Sequence, residues 1–381
     1  MIKLICVCGA RPNFMKAAPL IEAFGQDSTF DVRLVHTGQH YDTKMSGQFF
    51  AELGLPQPDI NLEVGSGSHA QQTAAIMSRF EPICTEFQPD WVVVVGDVNS
   101  TIACALVASK LGIKVAHVEA GLRSFDRRMP EEINRILTDS ISDVLFVTEP
   151  AAIENLKHEG VPPSKIRFVG NVMIDTLMRN RERANDTGIV SSLGLATRGY
   201  GVVTLHRPSN VDSAHQLVQI LEALEIIGRE LPLVFPVHPR TLATLKSLDQ
   251  DLRGIRPIEP LGYLDFLGLV DQARVVLTDS GGIQEETTVL GVPCITMREN
   301  TERPVTVEHG TNQLAGTTRD GILNAYRSMA CSCYSENQIP DLWDGRASER
   351  IAAVFKEIES GSLPQQHCSI PVPATTPVTT A

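Results

Sequence analysis

Eleven short runs rich in Val, Leu and Ile punctuate this chain, and they are apolar on consecutive residues where a half-buried strand would alternate. They are Lys3–Cys8, Val32–Thr37, Trp91–Val95, Val115–Val118, Val144–Thr148, Arg167–Val169, Gly201–Leu205, Leu233–Val237, Ile255–Ile258, Val275–Thr278 and Pro293–Thr296. A strand apolar on both faces must be covered on both faces, which is the habit of parallel strands flanked by helices. Longer helix-like stretches separate the runs, so the spacing predicts an α/β fold with doubly wound sheets.

At 381 residues the chain is long enough for about two or three domains. Between Asn180 and Gly199 it turns polar and loses its periodicity, and a fresh strand opens at Gly201. This places one domain over 1–180 and a second over 199–342. Residues 361–381, rich in Pro, Thr, Ser and Gln, read as a disordered tail.

Charge narrows the function. Lys and Arg total 33 against 45 Asp and Glu, a net charge of −12, with no basic tract longer than two residues. Binding a nucleic-acid duplex needs clustered cations, so that class is excluded. The apolar start Ile2–Cys8 is too short for a secretory signal, and no run approaches the ~20 apolar residues that span a bilayer. A cytoplasmic protein with no membrane partner is expected. The eight cysteines lack zinc-site spacing, and those inside apolar segments, such as Cys6, Cys104 and Cys294, read as buried reduced thiols.

In open α/β sheets, ligands bind beyond the carboxyl ends of the strands. Here those positions are polar: Gly9-Ala10-Arg11-Pro12-Asn13-Phe14-Met15-Lys16, Gly96-Asp97, Glu119-Ala120-Gly121, His206-Arg207, His238-Pro239-Arg240 and Asp279-Ser280-Gly281-Gly282. The last follows a strand and opens a helix whose free N–H groups attract anions, so a diphosphate fits there, with Glu286 one turn on to accept from ribose hydroxyls. The same residues also suit a tight βα turn that binds nothing. Arg11 and Lys16 suit either an anion or a solvated helix start. Asp97, Glu119 and Glu131 suit acid–base chemistry or helix capping, and Glu131 and Arg135 are spaced as a structural i,i+4 pair. Neither G-x-x-x-x-G-K-[ST] nor a metal-binding His/Asp pattern occurs, so no metal is expected. The lone histidines His36, His158 and His215 read as structural or exposed.

Taken in order, Gly9-Ala10-Arg11-Pro12, Gly96-Asp97, His117-Val118-Glu119-Ala120-Gly121-Leu122-Arg123, Pro130-Glu131-Glu132-Ile133-Asn134-Arg135, Val169-Gly170-Asn171, His206-Arg207, Pro236-Val237-His238, Thr278 to Glu286 and Thr301-Glu302-Arg303-Pro304 resemble the non-hydrolysing UDP-N-acetylglucosamine 2-epimerases. The resemblance spans roughly residues 1–355. It implies a glycosyltransferase-B-like fold, two Rossmann-like domains facing across a cleft, with a C-terminal helix over 343–360 crossing back to the first domain. It also implies a homodimer, a UDP-sugar substrate, and no metal or nicotinamide cofactor. Lys16, Asp97, Glu119, Glu131 and His206 match the family's catalytic set. Arg11, Phe266, Ser280, Gly281, Gly282 and Glu286 would hold UDP, with Phe266 against uracil, while Arg303 and His238 would line the cleft. Asn13 and Ser209 stand where the family often carries Glu, and the loop His69-Ala70-Gln71-Gln72 lacks the Arg that some members place there.

The implied reaction is inversion of C2 of UDP-N-acetylglucosamine through loss and re-addition of UDP. Rival readings are a hydrolysing 2-epimerase, a 2-epimerase of a further-modified UDP-N-acetyl sugar, a glycosyltransferase of the same fold, and a non-catalytic nucleotide-sugar binder.

Overall fold

The computed structural model describes residues 1–38, 50, 52–237, 245, 252–331 and 338–361. The tail expected over 361–381 lies, from residue 362, outside the described residues.

The first sheet holds β1 (Ile2–Cys8), β2 (Phe30–His36), β3 (Ile60–Asn61), β4 (Trp91–Val95), β5 (Lys114–Ala120), β6 (Val144–Val147) and β7 (Ile166–Phe168). Their order is β3-β2-β1-β4-β5-β6-β7, and every recorded pairing is parallel. The second holds β8 (Gly201–Thr204), β9 (Leu233–Pro236), β10 (Ile255–Ile258), β11 (Val275–Thr278), β12 (Cys294–Thr296) and β13 (Asn312–Leu314), in the order β10-β9-β8-β11-β12-β13. Each sheet steps outward from its first strand and then reverses, between β1 and β4 and again between β8 and β11. Such a reversal opens a crevice at the strand ends, where Rossmann-type sheets bind ligand. The doubly wound α/β reading therefore holds.

The central apolar runs are buried on both faces, as in Trp91–Val95, Val144–Val147 and Val275–Thr278, where every residue is buried, while the edge strands β7 and β10 are only partly covered. Two strands went unread, Ile60–Asn61 and Asn312–Leu314. Both are edge strands of two or three residues, too short and too polar to carry a period.

The polar stretch after Asn180 is more ordered than its composition suggests. The helix Val172–Asp186 continues through it, and a short turn of helix follows at Ile189–Ser192. The polar residues have partners in the second lobe: Arg181 meets Asp271 with Nε at 3.0 Å and Nη2 at 2.9 Å, and Asn185 meets the same carboxylate at 2.9 Å. The helix's other face is apolar. Ile174 and Leu177 join Phe14, Tyr263, Leu267 and Val276 in one buried cluster that draws on both sheets.

The last described helix, Ala347–Glu359, packs against the first sheet. Phe355 sits 5.3 Å from Trp91, 5.6 Å from Phe146 and 5.8 Å from Phe24, measured between ring centroids. Asp175 accepts the first amides of that helix, from Ala347 at 3.0 Å and Ser348 at 2.7 Å, satisfying donors that have no partner within the helix.

Candidate active site

The site begins with backbone geometry at three strand ends of the first lobe. After β1, Pro12 starts the helix Arg11–Gly25, which carries Lys16 inward and buries it. After β4, Gly96 takes φ +66°, and Lys16 Nζ lies 3.1 Å from where a Cβ there would sit, so a side chain at 96 would push the cation away. At the end of β5 the register shifts between Val118 and Ala120, and Glu119 takes φ +72°, rare for a residue with a Cβ. A bulge re-aims a side chain. His117 ties these turns together, its Nε2 donating to Gly96 O at 2.8 Å and its Nδ1 lying 2.6 Å from Asp139, which also accepts the Gly121 amide at 3.1 Å.

Glu119 is buried and clamped on both oxygens. Lys16 Nζ lies 2.5 Å from Oε2, and Arg303 of the second lobe lies 2.8 Å from Oε1. Burial alone would raise its pKa, but Lys16, Arg303 and Arg135 outweigh it and hold the carboxyl below its ordinary value. Arg303 is itself fixed by Glu285, Nε to Oε1 at 2.6 Å. Glu302 is matched by Arg298 at 2.7 Å, and burial notwithstanding, these arginines keep it ionised.

Asp97 is ion-paired to Arg135, which Glu132 also grips at 2.7 Å. This corrects the expected Glu131–Arg135 pair: Arg135 turns to Glu132 and Asp97, and the half-buried Glu131 makes no hydrogen bond or ion pair among the described residues. Glu132 has a second task, accepting the Ser124 and Phe125 amides at 2.9 Å each and so pinning the loop that leads to Glu131.

In the second lobe, Asp279 closes β11 and is fully buried. It accepts the amides of His206 and Arg207 at 3.1 and 3.0 Å and lies 2.7 Å from His206 Nδ1. Burial pushes Asp279 up, but these donors more than offset it and leave the carboxyl low. The His206 side chain is 61% exposed. Ser280 precedes the helix Gly281–Leu290, whose first amides have no partner within the helix. A Cβ on Gly281 would lie 2.6 Å from Glu302 Oε1, whereas one on Gly282 would meet only Met173 Cε of the first lobe, at 3.6 Å. Glu286 is buried one turn on. Burial and the neighbouring Glu285 push it up to about 8, against a pull from the Tyr263 hydroxyl. Phe266 is half-buried on the helix Tyr263–Asp271, at the edge of the cluster shared by both lobes.

Lys16, Glu119 and Arg303 thus form one ionic set that crosses the lobes and reaches the Gly281 turn, while Asp97 is held by Arg135 and His206 by Asp279. The Arg11 side chain and the whole of His238 lie outside the described residues, as does Gln39. Gln72 is engaged in the fold, accepting from Asn99 at 2.9 Å and donating to Gly65 O at 3.1 Å. His36 is buried against Phe14 and Phe50, while His158 and His215 are exposed. Among the described residues no cluster of His, Cys, Asp and Glu is arranged to hold a metal, and no helix is long and apolar enough to cross a membrane. Cys6, Cys8, Cys84, Cys104 and Cys294 are buried free thiols.

Glu132, Asp279, Glu285 and Glu302 have a place in the sequence motifs but no role assigned from them. Each organises a cation or a turn, and only Asp279, just after a strand, falls under the strand-end rule.

Residues 22–356 match the family described as UDP-N-acetylglucosamine 2-epimerase. The chain is 43% identical over 364 residues to UDP-N-acetylglucosamine 2-epimerase of Methanocaldococcus jannaschii, covering 93% of this chain and 99% of that one. It is 44% identical over 362 residues to UDP-2,3-diacetamido-2,3-dideoxy-D-glucuronate 2-epimerase of Pseudomonas aeruginosa, covering 94% and 100%. The crystal structure of the Methanocaldococcus jannaschii protein with UDP-GlcNAc and UDP superimposes with a TM-score of 0.86 over 93% of this chain and 99% of that one, at 42% identity.

Proposed function

The chain belongs to the UDP-N-acetylglucosamine 2-epimerase family, and on that premise we propose that it inverts C2 of UDP-N-acetylglucosamine to give UDP-N-acetylmannosamine without net loss of UDP. The observation that carries this reading is the placement of Glu119 between Lys16 of one lobe and Arg303 of the other, with Arg303 beside the Gly281–Gly282 turn.

The chemistry sets the demands. C2–H is not next to a carbonyl and is barely acidic, so direct proton abstraction is slow. Breaking the C1–O bond sends its electron pair to UDP, a carboxylate takes the C2 proton, and the C1=C2 bond of a 2-acetamidoglucal forms. Re-addition of UDP at C1 with proton delivery to the opposite face of C2 completes the inversion. The transition state gathers positive charge at C1 and negative charge on the departing diphosphate, and fixed groups aimed at those charges lower the barrier.

In this proposal Asp97, Glu119 and Glu131 share proton transfer at C2 and charge stabilisation at C1. Arg11, Lys16, His206 and the amides at Ser280, Gly281 and Gly282 receive the diphosphate. Phe266 supports uracil, Glu286 takes ribose hydroxyls, and Arg303 and His238 complete the cleft wall. Two domains, 1–180 and 199–342, close around the intermediate and exclude the water that would otherwise trap it. The enzyme works without metal or nicotinamide, in the cytoplasm, as a homodimer supplying polysaccharide biosynthesis. The exposed Ile133 and Leu137, one turn apart on the helix Pro130–Ile141, support a second copy packing there.

Incubation with UDP-N-acetylglucosamine and, separately, with the diacetamido glucuronate nucleotide tests the reading. The expected result is the mannosamine epimer with UDP far below stoichiometric. UDP rising in step with product would mean a hydrolysing enzyme, and turnover of the second substrate alone would mean a modified sugar.

A further inference from the structure

Where the end of β6 faces the second lobe, one buried acid has no assigned task. Glu149 precedes the helix Pro150–His158 but does not cap it, is 0% exposed, and has no hydrogen bond to either carboxyl oxygen among the described residues. The groups that act on it are Arg303 and the Val305 amide, Glu285 from the helix Gly281–Leu290, and Glu308 from the helix Val305–Glu308.

Charge balance gives Glu149 a role. Arg303 pairs with Glu119 and Glu285 and also acts on Glu149 without pairing to it, with Lys16 as the second cation, while Glu302 is already matched by Arg298. Fully ionised, this set holds one more negative than positive charge, which a buried site disfavours and one proton corrects. Glu119 is paired with both cations and Glu285 with one, whereas Glu149 pairs with neither and has only the Val305 amide and the field of Arg303 to favour its charge, so Glu149 is the acid with least to hold it ionised.

We propose that Glu149 is a positioning residue: it keeps a proton while the lobes are together, and its neutral carboxyl leaves Arg303 directed at Glu119. Burial, opposed by Arg303 and assisted by Glu285 and Glu308, pushes Glu149 up to about 8. Above that pH an ionised Glu149 competes for the guanidinium, whose Nη1 has no hydrogen bond and reaches Glu302 only at 3.4 Å. Arg303 is then drawn off Glu119. The inference rests on the proposed role of Glu119.

The test is the pH profile of kcat at saturating UDP-sugar for the unaltered chain, Glu149→Gln and Glu285→Gln. The unaltered enzyme loses about tenfold per pH unit above pH ~8, the slope of one ionisation. Glu149→Gln matches it within about threefold at pH 7 and stays flat to about pH 9, while Glu285→Gln keeps the alkaline limb. An alkaline limb retained in Glu149→Gln, or lost in Glu285→Gln instead, overturns the inference. So does an equal loss at every pH in Glu149→Gln. Absence of UDP-sugar turnover by the unaltered chain counts against the proposed function, and carbon-13 NMR of glutamate carboxyl carbons in the ligand-free protein then decides the inference alone. Two carboxyls titrating near pH 8 are expected, Glu149 and Glu286, with one remaining in Glu286→Gln. None remaining there overturns it, whether or not Glu149→Gln folds.

Discussion

Arg303 donates Nη2 to Glu119 Oε1 at 2.8 Å, a buried ion pair that joins the end of β5 in one lobe to the segment that follows β12 in the other. Lys16 holds the opposite oxygen, so Glu119 has no freedom to turn away from the cleft.

Removing that charge while keeping the shape is therefore expected to damage chemistry and stability together. Glu119→Gln should lower kcat by about 10²–10⁴. It leaves two buried cations facing a neutral amide, which should cost about 3–5 kcal/mol of stability. Turnover assays and denaturant melts on the same preparation measure both.

The two helix-opening glycines should respond differently to alanine. Gly281→Ala drives a Cβ to within 2.6 Å of Glu302 Oε1, and the expected loss is about 1–3 kcal/mol of stability. Gly282→Ala meets only Met173 Cε, at 3.6 Å, so its stability should change by no more than about 0.5 kcal/mol. Its new methyl stands before the helix amides, and UDP binding by calorimetry should weaken. Unchanged UDP affinity in Gly282→Ala would argue against a diphosphate at that turn.

Glu286 reaches ribose in the proposed complex from a fully enclosed position. Glu286→Gln should raise the Kd for UDP by about tenfold, about 1.4 kcal/mol, the worth of one buried hydrogen bond. Its kcat should fall far less, because the ribose lies away from the reacting carbons.

Much of this arrangement is legible in the chain itself, for identifiable reasons. Strands buried on both faces announce themselves, and only the short edge pieces at Ile60 and Asn312 escape. Residues directly after strands, such as Asp97 and Ser280, fall at the crevice by topology alone. Choices between neighbours are not legible. Glu131 and Glu132 both lie within reach of Arg135 on a helix, and only the packed structure shows that Glu132 takes it. Burial of acids such as Glu149 and Glu285 is likewise a tertiary outcome, since nothing in an acidic residue's local sequence says that two lobes will close over it.

Acid sensitivity follows from the paired carboxyls. Asp279, Glu119, Glu132 and Glu302 all titrate below their ordinary values in the folded chain, against ordinary values of 3.8 for Asp and 4.5 for Glu. Their stabilisation is present above those ordinary values and is lost as pH falls through the folded ones. Tm should therefore drop steeply below about pH 4, and Asp279→Asn should lower stability at pH 7 by about 1–3 kcal/mol. Calorimetric melts across the acid range check both.

The fate of the C2 hydrogen bears most directly on the proposed reaction. Proton NMR of the enzyme with UDP-N-acetylglucosamine in deuterium oxide should show UDP-N-acetylmannosamine carrying deuterium at C2, with UDP remaining a minor species. An epimer that keeps its original C2 proton would contradict elimination through a 2-acetamidoglucal and the carboxylate roles built on it.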